Sequence, residues 1–168
     1  MMKRLKFSKV VKRARLDVST AQYALKHPEY LKGMPKAGSQ GSHREFSLQQ
    51  AVRLAICTHM TMAGVPLKHA GKIVDFCEHQ IRCDQPELFG RRVTYRRIDF
   101  SEWAVEVLDA TMVRVWSEGL RKYVGDPTWA YLDLDSGRVK RTQGKAEELV
   151  RVELNLTELE RKLADHQY

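Results

Sequence analysis

Residues 7–27 read FSKVVKRARLDVSTAQYALKH, and their apolar residues follow two short helical patterns with a break between them. In the first pattern the apolar positions recur at the spacing of one helix face. These positions are Phe7, Val10, Val11 and Ala14. The spacing predicts a helix from Phe7 to Leu16 that ends in a tight turn near Asp17.

The second pattern predicts a helix from Thr20 to about His27. Ser19 is expected to cap this helix, because its hydroxyl can accept a hydrogen bond from an otherwise unpaired backbone N–H. Pro28 ends the helix, since a proline pushes the preceding residue out of helical geometry. Two helices joined by a tight turn indicate a helix-turn-helix, whose second helix enters the major groove of DNA.

The composition changes after this pair of helices. Residues 32–42 are mainly Gly, Ser, Lys, Gln and Pro, which predicts a flexible basic loop outside any core. Residues 43–46 are expected to return as a strand of a small hairpin, the wing. A wing lies along the phosphate backbone or the minor groove, where polar side chains hold the protein in register without reading bases. The polar side chains of the predicted wing are Lys36, Gln40, His43 and Arg44.

Two further helices are expected to support the wing and the helix-turn-helix. Ser47 is the predicted cap of a helix that continues to about Met62 and is closed by Gly64. The chain restarts at Val65, and apolar residues then recur at helical spacing as far as Cys77.

Excess positive charge is confined to the first 47 residues, which contain eleven Lys or Arg and three acids, a net charge of +8. Residues 48–168 contain eighteen basic and eighteen acidic residues and have no net charge. Each Lys or Arg on a phosphate releases a condensed counterion, so a basic segment with helix-turn-helix spacing is typical of DNA binding. The alternative is a basic surface that only confers solubility or docks on RNA or acidic protein. The interleaving of these charges with helix-periodic apolar residues favours the DNA-binding domain.

In order and spacing, residues 5–77 resemble the winged helix-turn-helix domain of the MerR family of bacterial regulators. Three segments carry the resemblance: Val18-Ser19 at the second helix, Arg44-Glu45-Phe46-Ser47 after the wing, and Gly64-Val65-Pro66-Leu67 between the last two helices. The resemblance implies a DNA-binding transcriptional regulator, with Ser19 to Tyr23 near bases and Arg44 on the backbone. Phage excisionases and the DNA-recognition subunits of phage packaging motors share this small domain, so an architectural or packaging role is the alternative. A third hypothesis is an adaptor that has this fold but binds protein or RNA and not duplex DNA.

The predicted DNA contacts divide by chemistry. Polar residues of the second helix can reach base edges, whereas basic residues around it hold phosphates. The predicted base contacts are Ser19, Thr20, Gln22 and Tyr23. The predicted phosphate contacts are Lys12, Arg13, Arg15, Lys26, Lys36, His43 and Arg44, with Gln40 beside them in the wing.

The C-terminal part of the chain changes from helical to alternating patterns. Residues 79–99 are expected to link a DNA-binding domain of residues 1–78 to a domain of residues 100–168. In the second domain, apolar residues alternate over several segments, which predicts an antiparallel sheet, with partial helix over residues 100–116 as an alternative. The fold class is therefore α+β: an N-terminal winged helix-turn-helix followed by a small antiparallel β domain with a C-terminal helix.

Turn and cap signals organise this second domain. Asp135-Ser136-Gly137 predicts a turn between two strands, and a last strand is expected over residues 149–154. Thr157 and Glu160 fit a capping box that opens the C-terminal helix. A sheet with a terminal helix is common in dimerisation or sensing modules. A homodimer is expected by analogy, because such DNA-binding proteins commonly read paired half-sites.

Two more specific kinds of site, for a metal ion and for a small-molecule effector, can be considered from the sequence. Cys77, His79 and Cys83 are soft ligands, but a fourth ligand and a Cys-x-x-Cys pair are missing, so no metal or other cofactor is expected. Trp103, Trp116 and Trp129 could line a pocket for an aromatic or cationic effector, but tryptophans at alternating strand positions are more often core residues.

The remaining patterns argue for a binding protein inside the cell. No nucleophile and base pair, phosphate-binding glycine loop or paired carboxylate motif stands out, so an enzyme is not expected. The chain contains neither a signal-peptide core nor an apolar stretch of membrane-spanning length. Three cysteines without a framework spacing fit reduced thiols in the cytoplasm.

Overall fold

The computed structural model describes residues 4–37, 44–77, 103–108, 112–117, 129–142 and 151–164. Its fold is α+β, with helices in the N-terminal part and an antiparallel sheet in the C-terminal part. The chain divides into two compact units: the N-terminal unit, of Met1–Val74 with Glu158–Tyr168, and the sheet unit, of Asp75–Thr157. The sequence suggested domains of residues 1–78 and 100–168, whereas the structure groups the last eleven residues with the N-terminal unit. The predicted linker, residues 79–99, lies outside the described residues.

Helices dominate the described residues before position 78. They are α1 (Phe7–Ala14), α2 (Val18–Leu25), α3 (Leu48–Met62) and α4 (residues 67–77). Two short strands, β1 (Leu5–Lys6) and β2 (Glu45–Phe46), pair antiparallel with Leu5 opposite Phe46. A strand is thus present at Glu45–Phe46, where the returning strand of a hairpin was expected, but its partner among the described residues is the strand before α1. Gln40 and His43 of the predicted wing lie outside the described residues.

The first helix is shorter than predicted. α1 ends at Ala14 and not at Leu16, because Arg15 has left-handed geometry (φ 54°, ψ 47°) that an α-helix cannot continue. The backbone N–H of Leu16 then donates to the carbonyl of Val11 at 2.9 Å. The same carbonyl also accepts the backbone N–H of Arg15, so Val11 receives two hydrogen bonds at the end of the helix.

The second helix begins earlier than predicted, and Ser19 is not its cap. α2 starts at Val18 with Asp17 as the N-cap, and it ends at Leu25. The Asp17 carboxylate accepts the backbone N–H of Thr20, the third residue of the helix, at 2.8 Å. Aspartate and serine are about equally good N-caps, so the residue types alone did not decide between the two positions.

The predicted ends of α3 are confirmed. The Ser47 hydroxyl accepts the backbone N–H of Gln50 at 3.2 Å, and the Gln50 side chain accepts the backbone N–H of Ser47 at 2.9 Å, forming a capping box. Gly64 follows the helix with φ +94°, a conformation that side-chain-bearing residues rarely adopt. The chain then restarts as α4 at residue 67, as expected.

Packing in the N-terminal unit brings the helices close together. α2 packs against α3, and Ala21 and Ala24 of α2 are fully buried. At Gly71 in α4, a Cβ atom would lie 2.1 Å from the carbonyl oxygen of Tyr30. The absence of a side chain at Gly71 therefore allows α4 to lie against the backbone that follows α2. Other large side chains of the core are fully buried: Val10, Leu31, Phe46, Leu54, Met60, Ile73 and Val74.

The sheet unit contains five antiparallel strands in the order β6-β5-β4-β3-β7. They are β3 (Trp103–Leu108), β4 (Met112–Ser117), β5 (Trp129–Asp133), β6 (Val139–Thr142) and β7 (Arg151–Asn155). Strands occur in the predicted segments, although the last begins at Arg151 among the described residues and ends at Asn155, one residue later than predicted. The helical alternative for residues 100–116 is wrong over the described strands. The predicted turn is also present, with Gly137 at φ 68° between β5 and β6.

Register assigns the strand positions to two faces, and one face carries most of the valines. Val105 lies opposite Val115 on one side and Leu154 on the other, whereas Glu106 lies opposite Arg114 and Glu153. Neighbouring positions along a strand belong to opposite faces. Trp103 lies opposite Ser117 and Trp116 opposite Ala104, so these two tryptophan positions are on opposite faces. One pocket on a single face of β3 and β4 cannot include both.

The last helix, α5 (Leu156–Ala164), follows β7 without an intervening residue. Thr157 is its second residue, so the helix begins earlier than a Thr157 cap would allow. Leu159 and Leu163 are buried and belong to the N-terminal unit. Of the helices in the described ranges, none has the length and apolar character needed to cross a membrane.

Candidate nucleic-acid interface

The turn between α1 and α2 is fixed from α3 by two contacts. The Nε2 atom of His59 donates to the carbonyl of Ala14 at 2.8 Å, since a carbonyl oxygen can only accept. The backbone N–H of Asp17 donates to Met62 Sδ at 3.4 Å. Both ends of the turn are therefore attached to the same supporting helix, which sets the direction in which α2 leaves the turn.

The start of α2 is stabilised by a charged cap. Thr20 donates to the Asp17 carboxylate through both its backbone N–H and its hydroxyl, each at 2.8 Å. These hydrogen bonds, the backbone one first, hold the pKa of the Asp17 carboxyl below its usual value. Asp17 is thus ionised at neutral pH, and its charge complements the positive end of the helix dipole. The hydroxyl of Thr20, a predicted base contact, is used inside the protein by this cap.

The two faces of α2 differ in exposure. Ala21 and Ala24 are fully buried, and Thr20 and Leu25 are half-buried. The other face is exposed and carries three of the four predicted base contacts. Its residues are Val18, Ser19, Gln22, Tyr23 and Lys26, the last directly after the helix. Sequence periodicity thus placed Ser19, Gln22 and Tyr23 correctly on the exposed side.

Most predicted phosphate contacts are accessible. Lys12, Arg15, Lys26 and Lys36 are exposed, and Arg44 is half-buried. The chain before Lys36 is attached to α3, because Gln50 Nε2 donates to the carbonyl of Gly33 at 2.8 Å. The beginning of the basic loop therefore has a defined position next to α3. Nothing in the described residues tests Gln40 or His43.

Arg13 has a structural contact that its predicted phosphate role did not include. Its Nη1 atom donates to the carbonyl of Leu163 in α5 at 3.1 Å, and its side chain is half-buried. Leu163 itself is fully buried. A guanidinium on one of the last carbonyls of a helix also complements the negative end of the helix dipole. Arg13 thus connects α1 to the C-terminal helix.

Exposed apolar groups lie around α2, and Val18 and Met62 among them were not predicted as contacts. Val18 is 48% exposed and Met62 is 47% exposed, and the Met62 sulfur contacts the residue before Val18. At the other end of α2, the Tyr23 ring meets the His27 ring edge-on with centroids 4.7 Å apart. His27 in turn stacks on Tyr30, with centroids 6.0 Å apart. Of Val18 and Met62, only Val18 could have been identified from the sequence, because it lies beside Ser19 in the predicted second helix.

The N-terminal unit has a larger net positive charge than the first 47 residues of the sequence. The N-terminal unit contains sixteen basic and six acidic residues, a formal net charge of +10. The sheet unit contains thirteen basic and fifteen acidic residues, a net charge of −2. Residues 48–74 add three basic groups and no acid to the N-terminal unit. A polyanion would therefore be attracted to the unit that contains α2.

The cysteines that the structure describes are buried. Burial raises the pKa of the Cys57 thiol to about 12 and also raises the pKa of the Cys77 thiol. Thiols of this kind are protonated at neutral pH, which makes them poor metal ligands. Within the described ranges, no three His, Cys, Asp or Glu side chains converge on a metal site. His79 and Cys83 lie outside those ranges.

No protein-family model matches this chain, and no curated protein or solved structure shows significant similarity to it.

Proposed function

We propose that this chain is a sequence-specific double-stranded DNA-binding protein, a MerR-like transcriptional regulator in which α1 to α4 form a winged helix-turn-helix. The observation that carries the proposal is the exposed polar face of α2 on a unit of net charge +10. Its donors and acceptors suit base edges, and the basic residues around it suit phosphates. As in other helix-turn-helix proteins, the N-terminal residues of α2 would meet the bases.

Selection of bound fragments from a random duplex library tests this proposal. At about 0.15 M salt, nonspecific phosphate attraction is already weakened, so an enriched motif reports base recognition. One enriched, two-fold-symmetric motif is the expected result. No enrichment would contradict the proposal, and several protomers bound side by side without a motif would indicate an architectural or packaging role. Preference for single-stranded RNA at equal salt would indicate an adaptor.

Base reading and phosphate binding should separate in two variants. Gln22→Ala removes an amide that can bond a base edge, so we expect it to change which base is preferred at one position. Arg44→Ala removes a phosphate contact, so we expect weaker binding to all duplexes and a salt slope smaller by about one. Fluorescence anisotropy at several salt concentrations measures both. Loss of sequence preference to the same extent in both variants would contradict this division of roles.

Apolar contact to thymine should add to the specificity of α2. Val18 is the first residue of α2, and the Met62 sulfur accepts the N–H of Asp17, the residue before Val18. An exposed apolar group at this end of the helix suits the 5-methyl group of thymine in the major groove. Replacing one contacted thymine by deoxyuridine should weaken wild-type binding about fourfold, the value of one buried methyl group.

The Val18→Ala variant decides where that methyl group binds. If Val18 contacts the methyl group, replacing that thymine by deoxyuridine should have little effect on the affinity of the variant. As a control, replacing thymines outside the motif should leave the affinity of both proteins unchanged. An equal effect of deoxyuridine on wild type and Val18→Ala would contradict the contact but leave DNA binding itself intact.

The proposed partner of this chain, besides duplex DNA, is a second copy. Two copies would present two α2 helices, which matches a paired half-site.

A further inference from the structure

We propose that two copies of this chain associate through β7, whose outer edge pairs antiparallel with the β7 strand of the second copy. In the described part of the sheet, β7 is the terminal strand and pairs with β3 alone. An edge strand offers backbone donors and acceptors to another chain. The inference concerns the sheet unit and does not depend on DNA binding.

The residues of β7 specify a register with itself. In a two-fold antiparallel pair centred on Val152, Arg151 of each copy lies opposite Glu153 of the other. Val152 then lies opposite Val152 of the second copy, so like faces of the two sheets are continuous. Opposite charges across a pair of strands stabilise it, and the symmetry provides two such pairs.

The other two-fold registers that keep like faces of the two sheets together have less favourable charge pairs. Centring the pair on Glu153 places two acidic residues opposite each other, which destabilises an antiparallel pair. Centring it on Leu154 leaves Arg151 without a partner among the residues of β7. Charge therefore favours the register centred on Val152.

The position of Glu153 inside one sheet strengthens the inference. Glu153 lies opposite Glu106 of β3, so two acidic residues are neighbours across the sheet. Arg114 of β4 lies on the far side of Glu106. Arg151 of a second copy would complete this row, with one basic residue at each end and two acidic residues between them.

The opposite edge of the sheet does not have this property. β6 consists of Val139-Lys140-Arg141-Thr142. A two-fold pair centred on Lys140 or on Arg141 places two cations opposite each other, and charged residues of this kind protect edge strands from pairing. Only β7, of the two edges that the described strands form, is self-complementary.

The Glu153→Arg variant of the full chain tests the proposal by sedimentation velocity over a range of concentrations. Two arginines then lie opposite each other at both sites, so the dissociation constant of the dimer should rise at least about tenfold. The folded monomer should not suffer, because the substituted position lies opposite Glu106, and circular dichroism checks this. The double variant Arg151→Glu with Glu153→Arg should restore the dimer, since it exchanges the charges. The matched control is Glu160→Arg, an equal charge change at an exposed site of α5, which should dimerise like wild type.

Three results would overturn the proposal. The first is a wild-type chain that is monomeric at all concentrations. The second is a Glu153→Arg variant that dimerises like wild type, which would place the interface elsewhere. The third is a double variant that stays monomeric, which would exclude the register centred on Val152.

Discussion

Gly71→Ala should lower the free energy of unfolding of the N-terminal unit by about 1–3 kcal/mol, the usual cost of overpacking a core. The added Cβ would lie 2.1 Å from the carbonyl oxygen of Tyr30 and 2.9 Å from its carbonyl carbon. Both are backbone atoms, so the clash cannot be relieved by rotating a side chain. Either α4 or the segment that contains the buried Leu31 must move. Urea or thermal unfolding measures the loss.

The sign of the change in unfolding free energy shows whether steric overlap or backbone entropy dominates at Gly71. In an exposed helix, replacing glycine by alanine stabilises by roughly 0.5–1 kcal/mol, because alanine loses less backbone entropy on folding. At Gly71 the steric term is larger and opposite in sign. Lys68→Ala is the control: it changes an exposed residue of the same helix and should stay within about 0.5 kcal/mol of wild type. A Gly71→Ala variant as stable as wild type would contradict the close approach of α4 to Tyr30.

Periodicity predicted the elements whose apolar residues recur at a regular spacing. α3 and α4 were expected where they occur, because apolar residues recur at helical spacing and Ser47 and Gly64 mark the ends of α3. The strands of the sheet followed from alternation of valines with polar residues. Both patterns place apolar residues on one face of an element, and such a pattern can be found in the sequence directly.

Boundaries set by competing caps could not be predicted in the same way. Asp17 and Ser19 are both favourable N-caps, and the choice depends on which one can reach the third N–H of the helix in the folded chain. The αL geometry of Arg15 also has no signal in the sequence, because a non-glycine residue rarely adopts it.

Long-range contacts explain what the sequence analysis missed in the candidate interface. Arg13 was assigned to phosphate because of its charge, but its contact with Leu163 joins residues 150 positions apart. Met62 was expected only as the end of α3, yet its sulfur reaches the Asp17 N–H. The exposed positions Gln22 and Tyr23 needed only local helical periodicity, so they were predictable.

Leu163→Ala should destabilise the N-terminal unit by about 2–5 kcal/mol, the range for truncating a fully buried leucine. Leu163 clusters with α1 to α4, and its carbonyl accepts the Arg13 guanidinium. Loss of its side chain should leave a cavity in this unit and weaken the attachment of α5. Hydrogen exchange resolved by residue should therefore show faster exchange in α1, including the buried Val10. Glu160→Ala, an exposed change on the same helix, should leave exchange in α1 unchanged.

The residues that lose protection from hydrogen exchange in Leu163→Ala show whether α5 stabilises the N-terminal unit. Leu159 and Leu163 are buried and belong to this unit, and Arg13 adds a polar contact to the same helix. If the helix belonged energetically to the sheet alone, Leu163→Ala would accelerate exchange in the sheet strands and leave Val10 as protected as in wild type. That pattern would contradict the grouping of α5 with α1. Faster exchange at Val10 would instead mean that the end of the chain stabilises the helix from which the turn to α2 begins.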